Sequence, residues 1–141
     1  MRYLAIDYGT KRTGLAVCDP TETIVSPLAV IRSDKGLIGK ILDVVNSENI
    51  GAIVLGLPLN MDDSQGPQAK LTLKFAEKLR KSLQISVHLQ DERLSSFGAQ
   101  EKLFSAKLKK NELAERLDAV SAAEILGSFL EDKGSEKDAE K

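Results

Sequence analysis

The sequence holds one cysteine, one histidine and no tryptophan among 141 residues. A lone Cys18 cannot build a disulfide framework, and Cys18 with His88 falls short of a Cys/His zinc site. That thiol usage fits a reducing compartment. Aromatics make up only 4% of the chain, which argues against a platform on which successive unpaired bases stack. Long apolar runs are missing as well. The longest, Ala52 to Leu59, is far below the roughly 20 residues of a membrane-spanning helix. Met1 to Ile6 meets an acid at Asp7 before it reaches the length of a signal-peptide core. The expected setting is the cytoplasm, with no membrane partner. A strong charge of one sign is also absent. The net charge is −1, so bulk attraction to a polyanion is not expected. The distribution is less even, because residues 70–116 carry 11 bases against 6 acids. That excess offers either a local basic surface or a pair of solvated helix faces.

What is present suffices for one domain. A chain of this length buries roughly two thirds of its unfolded surface, so neither metal nor disulfide is needed to hold it together. The expected domain covers residues 1–130. From Glu131 to Asp138 no side chain is apolar, and residues 131–141 read as a charged, disordered tail.

The first third reads as strands. Arg2 to Asp7, Thr13 to Cys18 and Ile24 to Ile31 are short β-rich runs. Gly9 to Arg12 supplies a hairpin turn, and three such strands form an antiparallel meander. Further on, Leu37, Ile38, Ile41, Leu42 and Val45 recur at helical spacing. Ala52 to Leu57 is a continuous apolar run, as in a strand covered on both faces. Pro67 suits the first turn of a helix ending near Leu83. Ile85 to Leu89 is strand-like, and helices are expected over Phe97 to Leu108 and Glu112 to Leu130. The order βββαβαβαα predicts an α/β fold. Its sheet is mixed and five-stranded, a three-strand meander plus two parallel strands, flanked by helices.

Three places invite chemistry. Asp7 ends the first strand, where it either meets a metal or phosphate or caps backbone N–H groups in the turn. Asp91, Glu92 and Arg93 follow the last strand, a position suited to a site and equally to the start of a helix. Asp118 borders an apolar helical stripe of Ala119, Ala122, Ala123, Leu126, Phe129 and Leu130. Burying it unpaired is costly, so it is paired or a ligand. As a set the acids acquire meaning. Two carboxylates about 4 Å apart repel by roughly 4 kcal/mol at an effective dielectric near 20. A hard cation such as Mg²⁺ or Mn²⁺ removes that penalty. Two such ions ~3.5–4 Å apart can activate water and stabilise a leaving oxygen in phosphodiester cleavage, without any histidine. Gly56 permits close backbone approach and Pro58 fixes the exit from the fourth strand. The segment through Asn60, Ser64 and Gly66 then either receives a phosphate on its N–H groups or is an ordinary loop.

Four segments are similar to signatures of one family. Asp7-Tyr8-Gly9-Thr10-Lys11-Arg12-Thr13-Gly14-Leu15-Ala16-Val17 resembles the opening motif of the YqgF family. Gly56-Leu57-Pro58-Leu59-Asn60-Met61, Asp91-Glu92-Arg93-Leu94-Ser95 and Asp118-Ala119-Val120-Ser121-Ala122-Ala123 resemble its other three, in the same order. Members are described as Holliday junction resolvase-like proteins and as candidate nucleases of pre-16S rRNA. The resemblance, over about residues 2–130, implies an RNase H-like fold and a metal-dependent endonuclease. It implies catalytic acids at Asp7, Glu92 and Asp118, with Asp91 as a further or alternative metal ligand, holding Mg²⁺ or Mn²⁺ ions. Lys11, Arg12, Asn60 and Arg93 would contact the substrate. Ribosome biogenesis, through 5′-end maturation of pre-16S rRNA, is the implied role. The alternatives are resolution of four-way DNA junctions and a non-catalytic nucleic-acid-binding role in transcription or ribosome assembly. The partner is a nucleic acid, pre-rRNA or branched DNA, acted on by a monomer or homodimer. Asp63 departs from the family in a turn that often has glycine, and residues 109–115 are less basic than usual.

Overall fold

The computed structural model describes residues 1–60, 62, 64–92 and 110–139, with side chains given for 118–134 in the last helix. Eight elements follow one another: β1 (Tyr3–Asp7), β2 (Arg12–Cys18), β3 (Val25–Arg32), α1 (Leu37–Ser47), β4 (Ala52–Leu57), α2 (Pro67–Ser82), β5 (Ser86–Asp91) and α3 (Lys110–Ala139). The strands form one sheet in the order β3-β2-β1-β4-β5. β1, β2 and β3 pair antiparallel, and β4 lies parallel to both β1 and β5. This is the mixed sheet expected from the sequence. The helix expected over 97–108 lies outside the described residues.

Side-chain alternation divides the core between the two sheet faces. On one face Leu4, Ile6, Leu15 and Val17 pack against Leu37, Ile41 and Val45 of α1 and Phe75 and Leu79 of α2. On the other, Tyr3, Ala5, Ala16 and Val54 meet Ala122, Ile125 and Leu126 of α3. The fully buried Leu and Ile side chains contribute about 1.5–3 kcal/mol each. β4 is buried along five of its six residues, which explains its lack of polar alternation.

α3 lies very close to β2. A Cβ placed on Gly14 would stand 2.0 Å from the carbonyl oxygen of Asp118. This contact depends on the absence of a side chain at Gly14.

α3 continues past Leu130 to Ala139, and residues 140–141 lie outside the described residues. Asp132 and Lys133 find polar partners on the domain. Asp132 accepts a hydrogen bond from Gln90 Nε2 at 3.0 Å. Lys133 Nζ donates to Glu22 Oε1 at 2.6 Å and to Tyr3 Oη at 3.0 Å, and lies over the Tyr3 ring.

Because β1, β4 and β5 are parallel, their C-terminal ends share one edge with the β1–β2 turn and the end of β3. In open α/β sheets that edge is where ligands bind. Here it collects the acids.

Candidate active site

Asp7 is the last residue of β1, paired in register with Gly14 of β2. On the opposite side of the sheet centre, Asp91 pairs with Leu57 at the end of β4. The backbone N–H of Glu92 then donates to the Leu57 carbonyl at 3.3 Å. This contact carries the strand one residue past its end and lets the Glu92 side chain turn inward over β4. Gly56 makes the room: a Cβ there would lie 2.6 Å from Glu92 Oε2 and 2.5 Å from Ile125 Cδ1. Glu92 is half-buried, whereas Asp91 is exposed.

Inside that space Glu92 and Asp7 are hydrogen-bonded to each other. Burial, reinforced by the negative charge of Asp118, pushes Asp7 up to about 6, against the pull of the Glu92 hydrogen bond. Burial likewise pushes Glu92 up to about 8, helped by the charge of Asp7, their hydrogen bond and the charge of Asp91. Near neutrality Glu92 therefore keeps its proton and donates it to Asp7. The two titrate as a pair rather than as independent groups.

Asp118 enters from α3. Arg12 Nε, at the start of β2, donates to Asp118 Oδ2 at 2.8 Å. The expectation that Asp118 is paired or a ligand thus meets a partner from the β1–β2 turn and not from its own helix. Arg12, read from sequence as a substrate contact, is engaged with a candidate catalytic acid. Nothing in the spacing of residues 12 and 118 signalled this.

Lys11 is exposed in the same turn. Asn60 is tied into its own loop, its N–H donating to the Ser64 carbonyl at 2.9 Å and its Nδ2 to Ser64 Oγ at 3.0 Å. Arg93 lies outside the described residues, as does Asp63. Sequence reasoning also missed Thr13 and Ser33. Their hydroxyls are 2.8 Å apart, and Ser33 Oγ donates to the Gly9 carbonyl at 2.7 Å, fixing the turn that carries Lys11 and Arg12.

The structure thus gathers Asp7, Glu92 and Asp118 at one end of the sheet. Among the described residues, no three acidic, histidine or cysteine side chains stand close enough to grip a cation as they are placed. The donors nevertheless fit a hard divalent ion in kind, since all are carboxylate oxygens. The strain that raises Asp7 and Glu92 is what such an ion relieves.

Residues 1–132 match the family described as "RuvX: Holliday junction resolvase". The chain belongs to the RuvX/YqgF family. Relatives agree along nearly the whole length. A protein of Anaeromyxobacter sp. named "Putative pre-16S rRNA nuclease" is 39% identical over 133 residues, 93% of this chain and 97% of its own. Namesakes from Roseiflexus sp. and Bacillus mycoides are 36% and 37% identical, covering 92% and 94% of this chain and 94% and 100% of their own.

Solved structures place the fold. The resolvase of fowlpox virus, in complex with Holliday junction DNA, superposes with a TM-score of 0.56 at 16% identity, over 94% of this chain and 98% of that one. RuvC of Thermus thermophilus, also with a Holliday junction substrate, gives 0.57 at 14% identity, over 95% and 96%. At such identities the likeness concerns architecture. The RuvX/YqgF chain has the RNase H-like fold of these resolvases.

Proposed function

We propose that this chain is a metal-dependent endonuclease that hydrolyses phosphodiester bonds, acting in the cytoplasm on the 5′ end of pre-16S rRNA. The observation that carries the reading is the meeting of Asp7, Glu92 and Asp118. They arrive from β1, the end of β5 and α3, elements separated widely in sequence. A set of acids destabilised by burial and by mutual proximity is costly for a fold and useful for cation binding. The names of the relatives supply the RNA substrate.

In this reading Asp7, Glu92 and Asp118 hold the divalent ions, with Asp91 at the exposed margin as a further ligand. The bound ions would lower the pKa of a water and neutralise charge on the leaving oxygen. Glu92 must give up its proton to act as a ligand, and its hydrogen bond to Asp7 keeps both carboxyl groups facing one another until then. Arg12 fixes the orientation of Asp118. Lys11, next to it in the turn, neutralises a substrate phosphate, and Arg93 adds a second cation beyond β5. Asn60 shapes the loop after β4 through its hydrogen bonds to Ser64.

The second reading, cleavage of four-way DNA junctions, draws on the family description and on the two resolvases that share the fold. It makes a separate demand. A junction is two-fold symmetric and needs paired active sites, hence a dimer, whereas a monomer can trim RNA. Cleavage of a pre-16S leader RNA by a monomeric species, with a synthetic junction left intact, distinguishes the two.

A further inference from the structure

The register between β2 and β3 makes Arg12 and Arg32 direct cross-strand partners. Like charges at facing positions of an antiparallel pair repel and cost stability. Arg12 directs its Nε to Asp118. Arg32 and Lys11 have no side-chain hydrogen bond or ion pair among the described residues. All three cations line one cavity of about 540 Å³, together with Val30 and Ser33, and no described acid lines it.

The cavity is built. Thr13, fully buried, has its hydroxyl 2.8 Å from Ser33 Oγ. Ser33 Oγ donates to the Gly9 carbonyl, so Thr13 is the donor to Ser33. The Ser33 N–H donates to the Lys11 carbonyl at 2.9 Å. These contacts fasten the β1–β2 turn to the residue following Arg32, holding Lys11 and Arg32 on one rim before any ligand arrives. Arg12 joins this cavity to the acids, lining one and pairing with Asp118 of the other.

We propose that Arg32 completes a phosphate subsite with Lys11 and Arg12, which anchors the backbone of the nucleic-acid strand on the β3 side of the three acids. An anion between Arg12 and Arg32 removes their repulsion, and guanidinium forks match phosphate geometry. The inference rests on the proposed nuclease reading for the identity of the strand, and its test separates the two.

The test measures binding of a fluorescein-labelled single-stranded RNA, and of DNA of the same sequence, to the whole protein in chelator across a range of salt. Arg32→Gln is expected to weaken binding of both strands about tenfold and to flatten the dependence of log K on log salt by about 0.7, one phosphate contact. Arg32→Lys should fall between. Arg32→Gln should also melt no lower than the wild type, because it loses a like-charge pair. Wild-type affinity and salt slope in Arg32→Gln overturn the subsite, and so does a loss confined to RNA, which would mark 2′-hydroxyl reading instead. If the wild type cuts no nucleic acid with any metal yet Arg32→Gln still loses affinity for both strands, the nuclease reading fails and the subsite stands. If the wild type cuts RNA while Arg32→Gln binds normally, the reverse holds.

Discussion

Arg12 Nε and Asp118 Oδ2 lie 2.8 Å apart, joining residues separated by 106 positions in the chain. The pair is partly exposed, with 45% of the arginine and 29% of the aspartate side chain accessible. An ion pair in that setting adds about 0–1 kcal/mol to stability. Its value is positional, since it fixes the carboxylate of Asp118, whose charge is felt at Asp7.

Arg12→Ala is therefore expected to change unfolding by urea by no more than about 1 kcal/mol. Cleavage should fall at least tenfold, or about 1.4 kcal/mol of lost transition-state stabilisation. Arg12→Lys, which keeps the charge and loses the planar fork, should recover stability more fully than activity. Paired urea titrations and initial cleavage rates decide it.

The glycines respond by position. Gly56→Ala puts a methyl against Glu92 and Ile125, both of whose contacting atoms are ends of movable side chains. A cost of about 1–3 kcal/mol is expected, with activity lost beyond what unfolding explains because Glu92 is displaced. At Gly14 the obstacle is the backbone of Asp118 and Ala119, so Gly14→Ala should cost above about 3 kcal/mol. Gly39, inside α1, has nothing within 4 Å of its would-be Cβ. Gly39→Ala should stabilise by about 0.5–1 kcal/mol through helix propensity. Denaturant midpoints of the three variants give the ranking.

Asp7 and Glu92 lie above their ordinary values in the folded protein, at about 6 and about 8. Between the ordinary carboxylate range and those values the folded state binds more protons than the unfolded one. Stability from this pair is hence lost as pH rises from about 4 to about 8. In chelator at pH 8, Asp7→Asn or Glu92→Gln should raise stability by about 1–3 kcal/mol. The gain should largely vanish near pH 4, where both carboxyl groups of the folded pair are protonated and neither carries a buried charge. Added Mg²⁺ at pH 8 should raise the unfolding midpoint of the wild type and leave that of Asp7→Asn nearly unchanged. Equal midpoints of wild type and variants at pH 8 contradict the buried acid pair.

Much of this architecture is legible in local sequence. The apolar run of β4, the 3.6-residue spacing of α1 and Pro67 at the head of α2 are short-range signals, and each element lies close to its expected place. The acids could be nominated because each sits where a strand or an apolar stripe ends. What local pattern cannot carry is tertiary pairing. The Arg12–Asp118 pair, the Arg12–Arg32 opposition and the Thr13–Ser33–Gly9 chain depend on register between distant segments. The contacts of α3 past Leu130 are of the same kind. Lys133 and Asp132 are stabilised there by Glu22, Tyr3 and Gln90, partners with no sequence proximity.

The central claim is that Asp7, Glu92 and Asp118 together support metal-dependent cleavage of nucleic acid. A labelled pre-16S 5′-leader RNA and a synthetic four-way DNA junction would each be incubated with the protein in Mg²⁺, Mn²⁺ or chelator. Asp7→Asn and Asp118→Asn would be run alongside, with folding checked by thermal unfolding. The account predicts cleavage of the RNA only with metal, reduced at least a hundredfold in both folded variants, or about 2.7 kcal/mol. Cleavage in chelator, or full activity in Asp7→Asn, would contradict it.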